Sequence, residues 1–364
     1  MGTYYLGNRR WPRGVNQTPR RDILIIQPKM ENHRGTSDNF SKWTLCLAPM
    51  MKKTDRHFRF LAKLISPNIR LFTEMIPAHA IMYGNRKQLQ FSNEEKPLVL
   101  QLGTGSPTDI HQTMKIPEVL GFDEINLNCG CPSPTVQSGN FGVKLMLNPK
   151  ATQECVRTLR QQIPDHIPVS IKIRLGVDSL YSYSYLSDYV GMAIQAGASI
   201  IFVHARKALL KINPKKNREV PDLNYDWVYR LKNDFKETQI VINGGIKQAE
   251  ESKIHLSKVD GIMLGRVAYQ NPMALSDFEN KIFNRKKSLK LRPFIVEKYL
   301  DYTEKQLNLG QNQRKLVLNL LNIFSGQKRA KEWRMLLNEQ SKAERISLEQ
   351  ISNKALEIHM TNSL

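Results

Sequence analysis

The sequence predicts a TIM (β/α)8 barrel followed by a small all-helical C-terminal domain, and three observations support this prediction. Short runs rich in Ile, Val and Leu alternate with helical patterns eight times, beginning at residue 43. These runs are nearly uninterrupted apolar segments, as expected for parallel strands covered on both faces. Eight such units over roughly 240 residues match a TIM barrel in number and size, and after about residue 290 only helical periodicity remains.

The eight predicted strands are short and are bounded by turn residues. They cover residues 43–50, 71–75, 98–103, 124–130, 169–176, 200–207, 240–245 and 261–267. Between them lie helical patterns such as 151–162, which is entered through Asn148-Pro149, and 183–196, which Gly197 ends. Because periodicity does not reveal whether a sheet closes, a doubly wound sheet is the alternative architecture.

The two ends of the chain differ from the barrel region. Residues 294–308, 313–324, 330–339 and 348–358 carry apolar residues at helical spacing, whereas residues 1–40 contain scattered Gly, Asn and Pro around a single apolar run. We therefore predict a basic, disordered N-terminal extension over 1–40, a catalytic barrel over 41–290 and a helical domain over 291–364. The Arg-rich, acid-poor start is also compatible with an organellar transit peptide or with initiation at Met30.

Composition limits the class of protein and of partner. A chain of 364 residues with 41% hydrophobic residues can bury a substantial core. Its formal charge of +21 favours a polyanion such as nucleic acid over a small neutral metabolite alone, and a generally solvated basic surface is the alternative. Four cysteines argue against a disulfide framework, and no run of about 18 apolar residues predicts a membrane span. We expect a cytoplasmic monomer, or an organellar protein if residues 1–40 are a transit peptide.

Polar residues follow the predicted strands at their C-terminal ends, where barrel enzymes build active sites. In chain order these positions are Ala48-Pro49-Met50, Glu74, Gln101, Asn128 with Cys131, Lys172 with Arg174, His204 with Arg206, Asn243-Gly244-Gly245 and Gly265-Arg266. One such residue alone is weak evidence, since a lone strand-end His is usually structural. A complete ring of them predicts an active site at the barrel mouth.

The last two positions predict a phosphate site. Barrels frequently bind phosphate with the loops after strands 7 and 8, which here carry Asn243-Gly244-Gly245 and Gly265-Arg266. The alternative is that the glycines only turn the chain. An anchored phosphate suggests a phosphorylated cofactor, and FMN would need a cation near N1 and O2 and amides along its pyrimidine edge. Lys172 and Gln101 are placed to supply these groups, with His204 beside the flavin or its phosphate side.

Two cysteines in the segment Glu124-Ile-Asn-Leu-Asn-Cys-Gly-Cys-Pro are expected to differ in role. Cys131 lies on the Gly-Cys-Pro turn that ends a strand, so its side chain faces a cavity. Cys129 lies on the opposite strand face from Asn128 and is predicted to be a small buried residue. A zinc site is excluded because the other cysteines are single and distant, whereas structural zinc needs four ligands.

Taken together, these motifs resemble the tRNA-dihydrouridine synthases. The resemblance rests on Ala48-Pro49-Met50, Asn126-Leu-Asn-Cys-Gly-Cys-Pro132, Lys172-Ile-Arg174, His204-Ala-Arg-Lys207, Asn217-Arg-Glu219, Asn243-Gly244-Gly245 and Gly265-Arg-Val-Ala-Tyr-Gln-Asn-Pro272. Residues 136–142 and 204–219 are most similar to the A-type subfamily, which acts on uridines 20 and 20a of the tRNA D-loop. The match extends from about residue 43 to the last helices.

The resemblance implies an FMN-binding barrel, a helical tRNA-binding domain and NADPH as electron donor. Reduced FMN would deliver hydride to uracil C6, and Cys131 occupies the position of the family's proton donor to C5. An ordinary thiol, with a pKa of about 8.5, is mostly protonated at neutral pH and can act as this acid. Asn128 would contact the target nucleotide. The implied FMN-binding residues are Pro49, Met50, Met51, Gln101, Lys172, His204, Asn243, Gly244, Gly245, Gly265 and Arg266.

A tRNA substrate would explain three groups of basic residues. The target base has to be flipped out of the stack, and the rest of the tRNA must be held through its phosphates. The expected contacts are Arg206, Lys207, Lys215, Lys216 and Arg218 beside the mouth, and Lys331 and Arg334 at a helix start, with Lys211, Lys328 and Arg329 nearby. A third group, Lys281, Arg285, Lys286, Lys287, Lys290 and Arg292, lies at the predicted domain junction.

The sequence departs from the family pattern at Met51-Lys52-Lys53, Pro134-Thr135 and Leu318-Asn319. These departures leave the predicted flavin site intact and affect the expected tRNA docking. Two rival classes are a flavin barrel acting on a free pyrimidine or another small molecule, and a non-catalytic RNA-binding barrel. The first does not account for the helical domain or the charge, and the intact set of Cys131, Lys172 and His204 argues against the second.

Overall fold

Eight parallel strands follow one another round a barrel in residues 41–284 and 292–363, the part of the chain that the computed structural model describes. They are β1 (Leu45–Leu47), β2 (Leu71–Pro77), β3 (Leu98–Gly103), β4 (Glu124–Asn128), β5 (Val169–Arg174), β6 (Ile200–His204), β7 (Gln239–Asn243) and β8 (Gly261–Leu264). Strands β1 and β8 pair, and β1 also meets the start of β2: Leu47 N donates to Arg70 O, and Arg70 N donates to Leu45 O, each at 2.9 Å. The barrel closes, which confirms the TIM prediction over the doubly wound sheet.

Helices surround this barrel and continue after it. The described α-helices are α1 (Arg56–Ile65), α2 (Ala78–Tyr83), α3 (Pro107–Met114), α4 (Pro134–Ser138), α5 (Val143–Leu147), α6 (Pro149–Gln162), α7 (Tyr183–Gln195), α8 (Tyr225–Asp234), α9 (Glu251–Leu256), α10 (Arg266–Gln270), α11 (Ala274–Ile282), α12 (Arg292–Asn308), α13 (Gln313–Leu318), α14 (Ala330–Gln340) and α15 (Leu348–Ser363). Their starts follow local capping rules. Ser106 Oγ, for example, accepts from Asp109 N at 3.1 Å, and Pro107 occupies the first turn of α3.

The observed elements differ from the predicted ones chiefly at their ends. Six strands stop two or three residues before their predicted ends, because the chain leaves the sheet as soon as it reaches the mouth loops. Helix α13 ends at Leu318 instead of continuing to residue 324. The following residues make bonds from each N–H to the carbonyl three residues earlier, such as Leu320 N to Val317 O at 3.1 Å, and therefore form tight turns.

The barrel interior is filled by side chains and forms a small core of its own. Paired positions on neighbouring strands face the same side, so Phe202, Val241 and Met263 all point inward from β6, β7 and β8. Phe72 meets Phe202 edge to face with ring centroids 5.0 Å apart. A larger apolar core lies between the outer strand faces and the helices. The interior is therefore packed, and the mouth is the open end.

The C-terminal helices pack against the first helix of the barrel. Phe60 of α1 stacks on Tyr302 of α12 with centroids 3.9 Å apart, and His57 Nδ1 lies 2.8 Å from Tyr302 Oη. Burial lowers the pKa of His57 to about 4, so this buried contact is made by a neutral imidazole at neutral pH. Within the helical region, Trp333 is fully buried and its indole N–H donates to Leu320 O at 2.9 Å.

Several sequence predictions concern residues that lie outside the described part. These are the N-terminal extension over 1–40, the domain boundary at 290 and 291, and the basic residues Arg285, Lys286, Lys287 and Lys290. None of the helices in the described ranges combines the length and the apolar character that a bilayer span requires. Over the same ranges, no cluster of three or more His, Cys, Asp or Glu residues could hold a metal ion.

Candidate active site

Cys131 lies on a short turn at the mouth end of β4, which we call the Cys131 turn (residues 128–131). The Asn128 side chain shapes it: its Oδ1 accepts from Gly130 N at 3.2 Å and from Cys131 N at 3.0 Å. Gly142 supports the turn from the other side. It has φ +63, and a Cβ there would lie 2.8 Å from Cys131 O and 2.3 Å from Val136 Cγ1. The backbone around the thiol is thus fixed by local hydrogen bonds and by close packing.

The four cysteines have different environments. Cys131 is partly exposed, whereas Cys46, Cys129 and Cys155 are buried. Burial raises the pKa of the Cys129 thiol and raises that of Cys155 to about 12, so both stay protonated at neutral pH. The prediction that Cys129 is a small buried residue is confirmed, and Cys131 is the cysteine that a molecule in the mouth can reach.

Lys172 and Asn243 meet across the mouth. Lys172 Nζ donates to Asn243 Oδ1 at 3.0 Å, and Asn243 Nδ2 donates to Met263 O at 2.7 Å, which fixes the amide orientation. Burial, together with the nearby Arg174 guanidinium and against the opposing effect of Cys131, lowers the pKa of Lys172 to about 7. This lysine therefore changes charge near neutral pH.

His204 has a buried ring nitrogen without a partner. Its Nδ1 makes no hydrogen bond in the structure, although neighbouring groups surround it. Burial lowers the pKa of His204 well below its usual value, and the cations of Arg174 and Lys172 add to this effect. The imidazole is thus neutral. An unpartnered buried nitrogen beside an open mouth indicates a position for a ligand.

The loop after β7 requires glycine at two consecutive positions. Gly244 has φ +108 and Gly245 has φ +77, which side-chain-bearing residues rarely adopt. A Cβ on Gly244 would lie 3.2 Å from the His204 ring, and one on Gly245 would lie 2.4 Å from Leu223. Tyr225 Oη donates to Gly244 O at 2.8 Å and holds this loop in place. Positive φ and close packing against His204, Leu223 and Tyr225 therefore exclude a side chain at both positions.

The loop after β8 is open, but its arginine has a partner. A Cβ on Gly265 would meet no atom within 4 Å. Arg266, at the start of α10, donates to Glu219 Oε1 at 3.0 Å and to Arg218 O at 3.3 Å. Both side chains of the Arg266–Glu219 pair are exposed, and an exposed pair of this kind contributes about 0–1 kcal/mol. A stronger anion could therefore replace Glu219.

Arg174 connects the Cys131 turn to the loop after β6. It is 5% exposed. Its Nε donates to Gly130 O at 3.1 Å, and its Nη1 donates to Lys207 O and to Asn217 O, each at 3.0 Å. Asn217 is buried too and bonds the backbone of Leu209 in both directions. One guanidinium thus joins the proposed proton donor's turn to the loop that carries the basic residues.

The first-strand residues and Gln101 have their own partners. Met50 N donates to Thr54 Oγ1 at 3.0 Å, Pro49 is half-buried, and Met51 is 55% exposed at the rim. Gln101 is buried; its Nε2 donates to Asn126 Oδ1 at 2.8 Å, and its Oε1 accepts from Asn128 Nδ2 at 3.0 Å. The Gln101 side chain is therefore hydrogen-bonded within the protein, to Asn126 and Asn128.

The basic residues divide into exposed and paired ones. Exposed side chains are those of Lys211, Lys215, Lys216 and Arg218 in the loop after β6, and of Lys328, Lys331 and Arg334 around α14. Lys207 lies over the Tyr181 ring, and Arg206 donates to Pro221 O. Arg329, predicted as a member of the second group, is paired with Glu332 at 2.6 Å and Glu357 at 2.5 Å. Its charge is compensated within the protein.

Sequence reasoning missed a row of polar groups below the Cys131 turn. Glu124, Asn126 and Asn128 alternate along β4 and all face the barrel interior, where Ser170 of β5 and Gln101 of β3 bond to them. The pattern Glu-Ile-Asn-Leu-Asn shows this alternation, which is the available signal in the sequence.

The geometry defines a TIM-barrel protein with a site at the C-terminal mouth, built from a reachable thiol, a half-buried lysine, a neutral histidine and a glycine-lined loop. The dihydrouridine synthase (Dus) family model matches residues 46–359. The chain belongs to this family.

Curated relatives match most of the chain. A tRNA-dihydrouridine(20/20a) synthase of a Synechocystis species is 44% identical over 81% of this chain and 88% of that protein. Proteins of the same name from Shewanella oneidensis and Escherichia coli are 39% and 41% identical, over 85% and 82% of this chain and 92% and 91% of theirs. Among solved structures, morphinone reductase in complex with tetrahydroNAD has a TM-score of 0.44 at 10% identity, covering 64% of this chain and 85% of that one.

Proposed function

We propose that this chain is an FMN-dependent tRNA-dihydrouridine synthase that reduces the C5=C6 bond of uridines 20 and 20a in the tRNA D-loop, with NADPH as electron donor. Family membership supports the reaction class, and the names of the relatives support the tRNA positions. The observation that carries the proposal at the level of residues is the reachable thiol of Cys131, held on a fixed turn at the barrel mouth.

The mouth fits a flavin mononucleotide in four respects. The unpartnered Nδ1 of His204 offers a hydrogen-bonding atom, and Lys172 offers a charge that FMN needs near N1 and O2. Gly265 leaves open space at the start of α10, where backbone N–H groups and Arg266 can receive a phosphate. Gln101 keeps one N–H and one lone pair for the pyrimidine edge.

The proposed FMN-binding residues remain those predicted from the sequence. They are Pro49, Met50, Met51, Gln101, Lys172, His204, Asn243, Gly244, Gly245, Gly265 and Arg266. To bind the phosphate, Arg266 breaks its ion pair with Glu219. This costs little free energy because the pair is exposed.

Proton donation is the proposed task of Cys131. Reduced FMN, when bound, supplies hydride to uracil C6. The S–H bond of Cys131 breaks as the new C5–H bond forms, leaving a thiolate that takes a proton from solvent at the partly exposed mouth. The Arg174 guanidinium, whose Nε donates to Gly130 O at 3.1 Å next to Cys131, supplies a positive charge that can stabilise the thiolate.

Binding of the tRNA is assigned to basic side chains beside the mouth and on α14. The target base leaves its stack to enter the mouth, and the surrounding phosphates contact Arg206, Lys207, Lys215, Lys216 and Arg218, with Lys331 and Arg334 on α14 as a second group. Asn128 retains one N–H that can meet the target nucleotide, although its other atoms serve the Cys131 turn. We place the reaction in the cytoplasm and assign it to a monomer.

The direct test compares tRNA from cells with and without this protein. We expect dihydrouridine to disappear at positions 20 and 20a in the deletion strain and to return when the purified, yellow enzyme and NADPH are added to that tRNA. Unchanged dihydrouridine at both positions would remove the tRNA substrate. A colourless protein that takes up no FMN would remove the flavin reaction, and reduction of free uridine at the rate of tRNA would favour the small-molecule alternative.

A further inference from the structure

A continuous chain of hydrogen bonds runs up the barrel interior and ends at the Cys131 turn. From the bottom upward its side chains are Glu124, Ser170, Asn126, Gln101 and Asn128, and we call them the interior polar chain. The links are Ser170 Oγ to Glu124 Oε1 at 2.5 Å, Asn126 Nδ2 to Ser170 Oγ at 2.8 Å, Gln101 Nε2 to Asn126 Oδ1 at 2.8 Å and Asn128 Nδ2 to Gln101 Oε1 at 3.0 Å.

At the upper end of this chain, donor and acceptor can be assigned to each hydrogen bond in only one way. The N–H groups of Gly130 and Cys131 can only donate, so the Asn128 atom that faces them must be Oδ1. The Nδ2 atom of Asn128 then faces Gln101 and donates to its Oε1, which leaves Gln101 Nε2 to donate to Asn126 Oδ1. Asn126 Nδ2 consequently donates to Ser170, whose hydroxyl proton is left for the last partner.

The lower end requires the same direction independently. The last partner, Glu124, accepts from Trp43 Nε1 at 2.7 Å and from Arg70 Nη1 at 3.2 Å, both of which can only donate. Burial raises the pKa of Glu124, and the ion pair with Arg70 and the bonds from Ser170 and Trp43 oppose this shift. The carboxylate that pairs with Arg70 accepts at both oxygens, so Ser170 donates to it. The charge of Glu124 at the bottom and the backbone N–H groups at the mouth therefore favour one and the same arrangement of every amide between them.

We propose that the interior polar chain is a positioning device for Cys131, with Glu124 as the acceptor that fixes the amide orientation of Asn128 and hence the conformation of the Cys131 turn. This inference rests on the proposed role of Cys131. All five side chains are at most 7% exposed, so solvent cannot substitute for a missing link. A broken link allows the Asn128 amide to rotate, and rotation would set its Nδ2 donor against two backbone donors.

The test uses Ser170→Ala, which removes one hydroxyl from the chain and leaves the Glu124–Arg70 ion pair in place. Ser170→Thr keeps the hydroxyl. The matched control is Ser252→Ala, which removes an equally buried serine hydroxyl from α9, outside the chain. Two quantities are measured: the alkylation rate of Cys131 by iodoacetamide in the folded, tRNA-free holoenzyme, and kcat and KM for dihydrouridine formation.

We expect Ser170→Ala to raise the alkylation rate of Cys131 and to lower kcat per bound FMN, each by about five- to tenfold. Ser170→Thr should restore both rates, and Ser252→Ala should change neither. The proposal would be overturned if Ser170→Ala had the same alkylation rate and the same kcat as the wild type. It would also be overturned if Ser170→Thr restored neither rate.

Two further experiments test the proposal if Ser170→Ala does not fold or if the wild-type enzyme is inactive on tRNA. If Ser170→Ala does not fold, Asn126→Ala breaks the same chain one link higher, because a methyl group can neither donate to Ser170 nor accept from Gln101. The same changes are expected, and their absence overturns the proposal. If the wild-type enzyme reduces no tRNA, the proposed function fails, while the alkylation rates still decide whether the interior polar chain controls the thiol.

Discussion

Strands β4 and β6 line the same barrel interior but differ in where their inward-facing side chains are polar. On β6 the inward residues Ile200 and Phe202 are fully buried and apolar, and the polar His204 comes only at the mouth. Its polar residue is explained by the site at that end.

Strand β4 has polar inward residues along its whole length. Glu124, Asn126 and Asn128 are buried from the bottom of the barrel to the mouth, and only the last lies within reach of the site. Buried polar groups are costly unless they are bonded, so this strand needs partners that β6 does not need. We infer from this difference that β6 contributes chiefly to the stability of the barrel, whereas β4 contributes to the conformation of the Cys131 turn.

The largest effect on catalysis should follow substitution of the thiol where the polar strand ends. Cys131→Ala should lower dihydrouridine formation by about 10²- to 10⁴-fold, since the proposed proton donor is removed. FMN content and oxidation of NADPH should remain, because hydride transfer to the flavin does not use the thiol. The assay is dihydrouridine formation per bound FMN. Cys129→Ala, two residues away and on the other strand face, should be nearly neutral in rate, and the reverse order of the two variants would contradict the assignment of the acid.

The apolar strand should show the opposite behaviour. Phe202→Ala should lower the free energy of unfolding by about 3–5 kcal/mol, because it opens a cavity among Phe72, Val241 and Met263. Urea unfolding at fixed FMN concentration measures this quantity. Phe202→Leu, which keeps most of the volume, should cost under about 1.5 kcal/mol. A decrease below about 1 kcal/mol in Phe202→Ala would mean that the interior core does not stabilise the barrel.

The third prediction concerns the charge of Lys172. Burial lowers its pKa to about 7, so in the FMN-free protein the ammonium form is lost as pH rises through 7. FMN binding that needs the cation should therefore weaken by up to about tenfold per pH unit above 7 and level off below it. Fluorescence titration of FMN between pH 6 and 9 measures this. Lys172→Met should bind more weakly with a flat profile, and a flat profile in the wild type would count against the role of Lys172.

A smaller effect is expected from the exposed basic residues. Replacing Lys215 and Lys216 by Gln, or Lys331 and Arg334, should weaken tRNA binding and make the log–log salt slope shallower by about 0.7–0.9 for each phosphate that the variant no longer binds. NADPH oxidation without tRNA should not change. The control pair, Lys236 and Lys258, precedes β7 and β8 and lies at the opposite end of the barrel. Equal slopes in all three double variants would assign the positive charge to another purpose.

The smallest effect should come from Glu219, the present partner of Arg266. Glu219→Gln removes a competitor of the proposed phosphate, and FMN affinity should rise by no more than about fivefold, because exposed ion pairs contribute little. Arg266→Ala should lower the affinity instead. Isothermal titration calorimetry with FMN measures the affinity of both variants. A weaker affinity in Glu219→Gln would show that Glu219 orients Arg266 for the phosphate.

The sequence predicted the barrel and its mouth because both depend on local patterns. Apolar runs and glycine turns mark the strands and their ends, and alternation along β4 assigned Cys129 to the outer core, where it is fully buried. The same alternation also sends Glu124 and Asn126 inward, but Ile125 and Leu127 between them give the segment the appearance of an apolar strand. The period of two therefore carries the signal for the inward polar residues, whereas the overall apolar content hides it.

Other features had no signal in the sequence. The bonds of Arg174 are made to backbone carbonyls more than thirty residues away, and a carbonyl is present at every position whatever the side chain. The pairing of Arg266 with Glu219 depends on how a long loop folds back to α10. Such contacts follow from tertiary structure and leave no spacing that can be counted.

The three bonds of Arg174 have a consequence for how a substrate enters. Moving the loop after β6 away from the Cys131 turn would break buried hydrogen bonds from a charged group, each worth about 1.5–3 kcal/mol. These bonds therefore favour the arrangement in which the loop stays against the Cys131 turn. We expect the proposed uridine to reach the thiol by leaving its stack in the tRNA, while the rim of the mouth keeps its conformation.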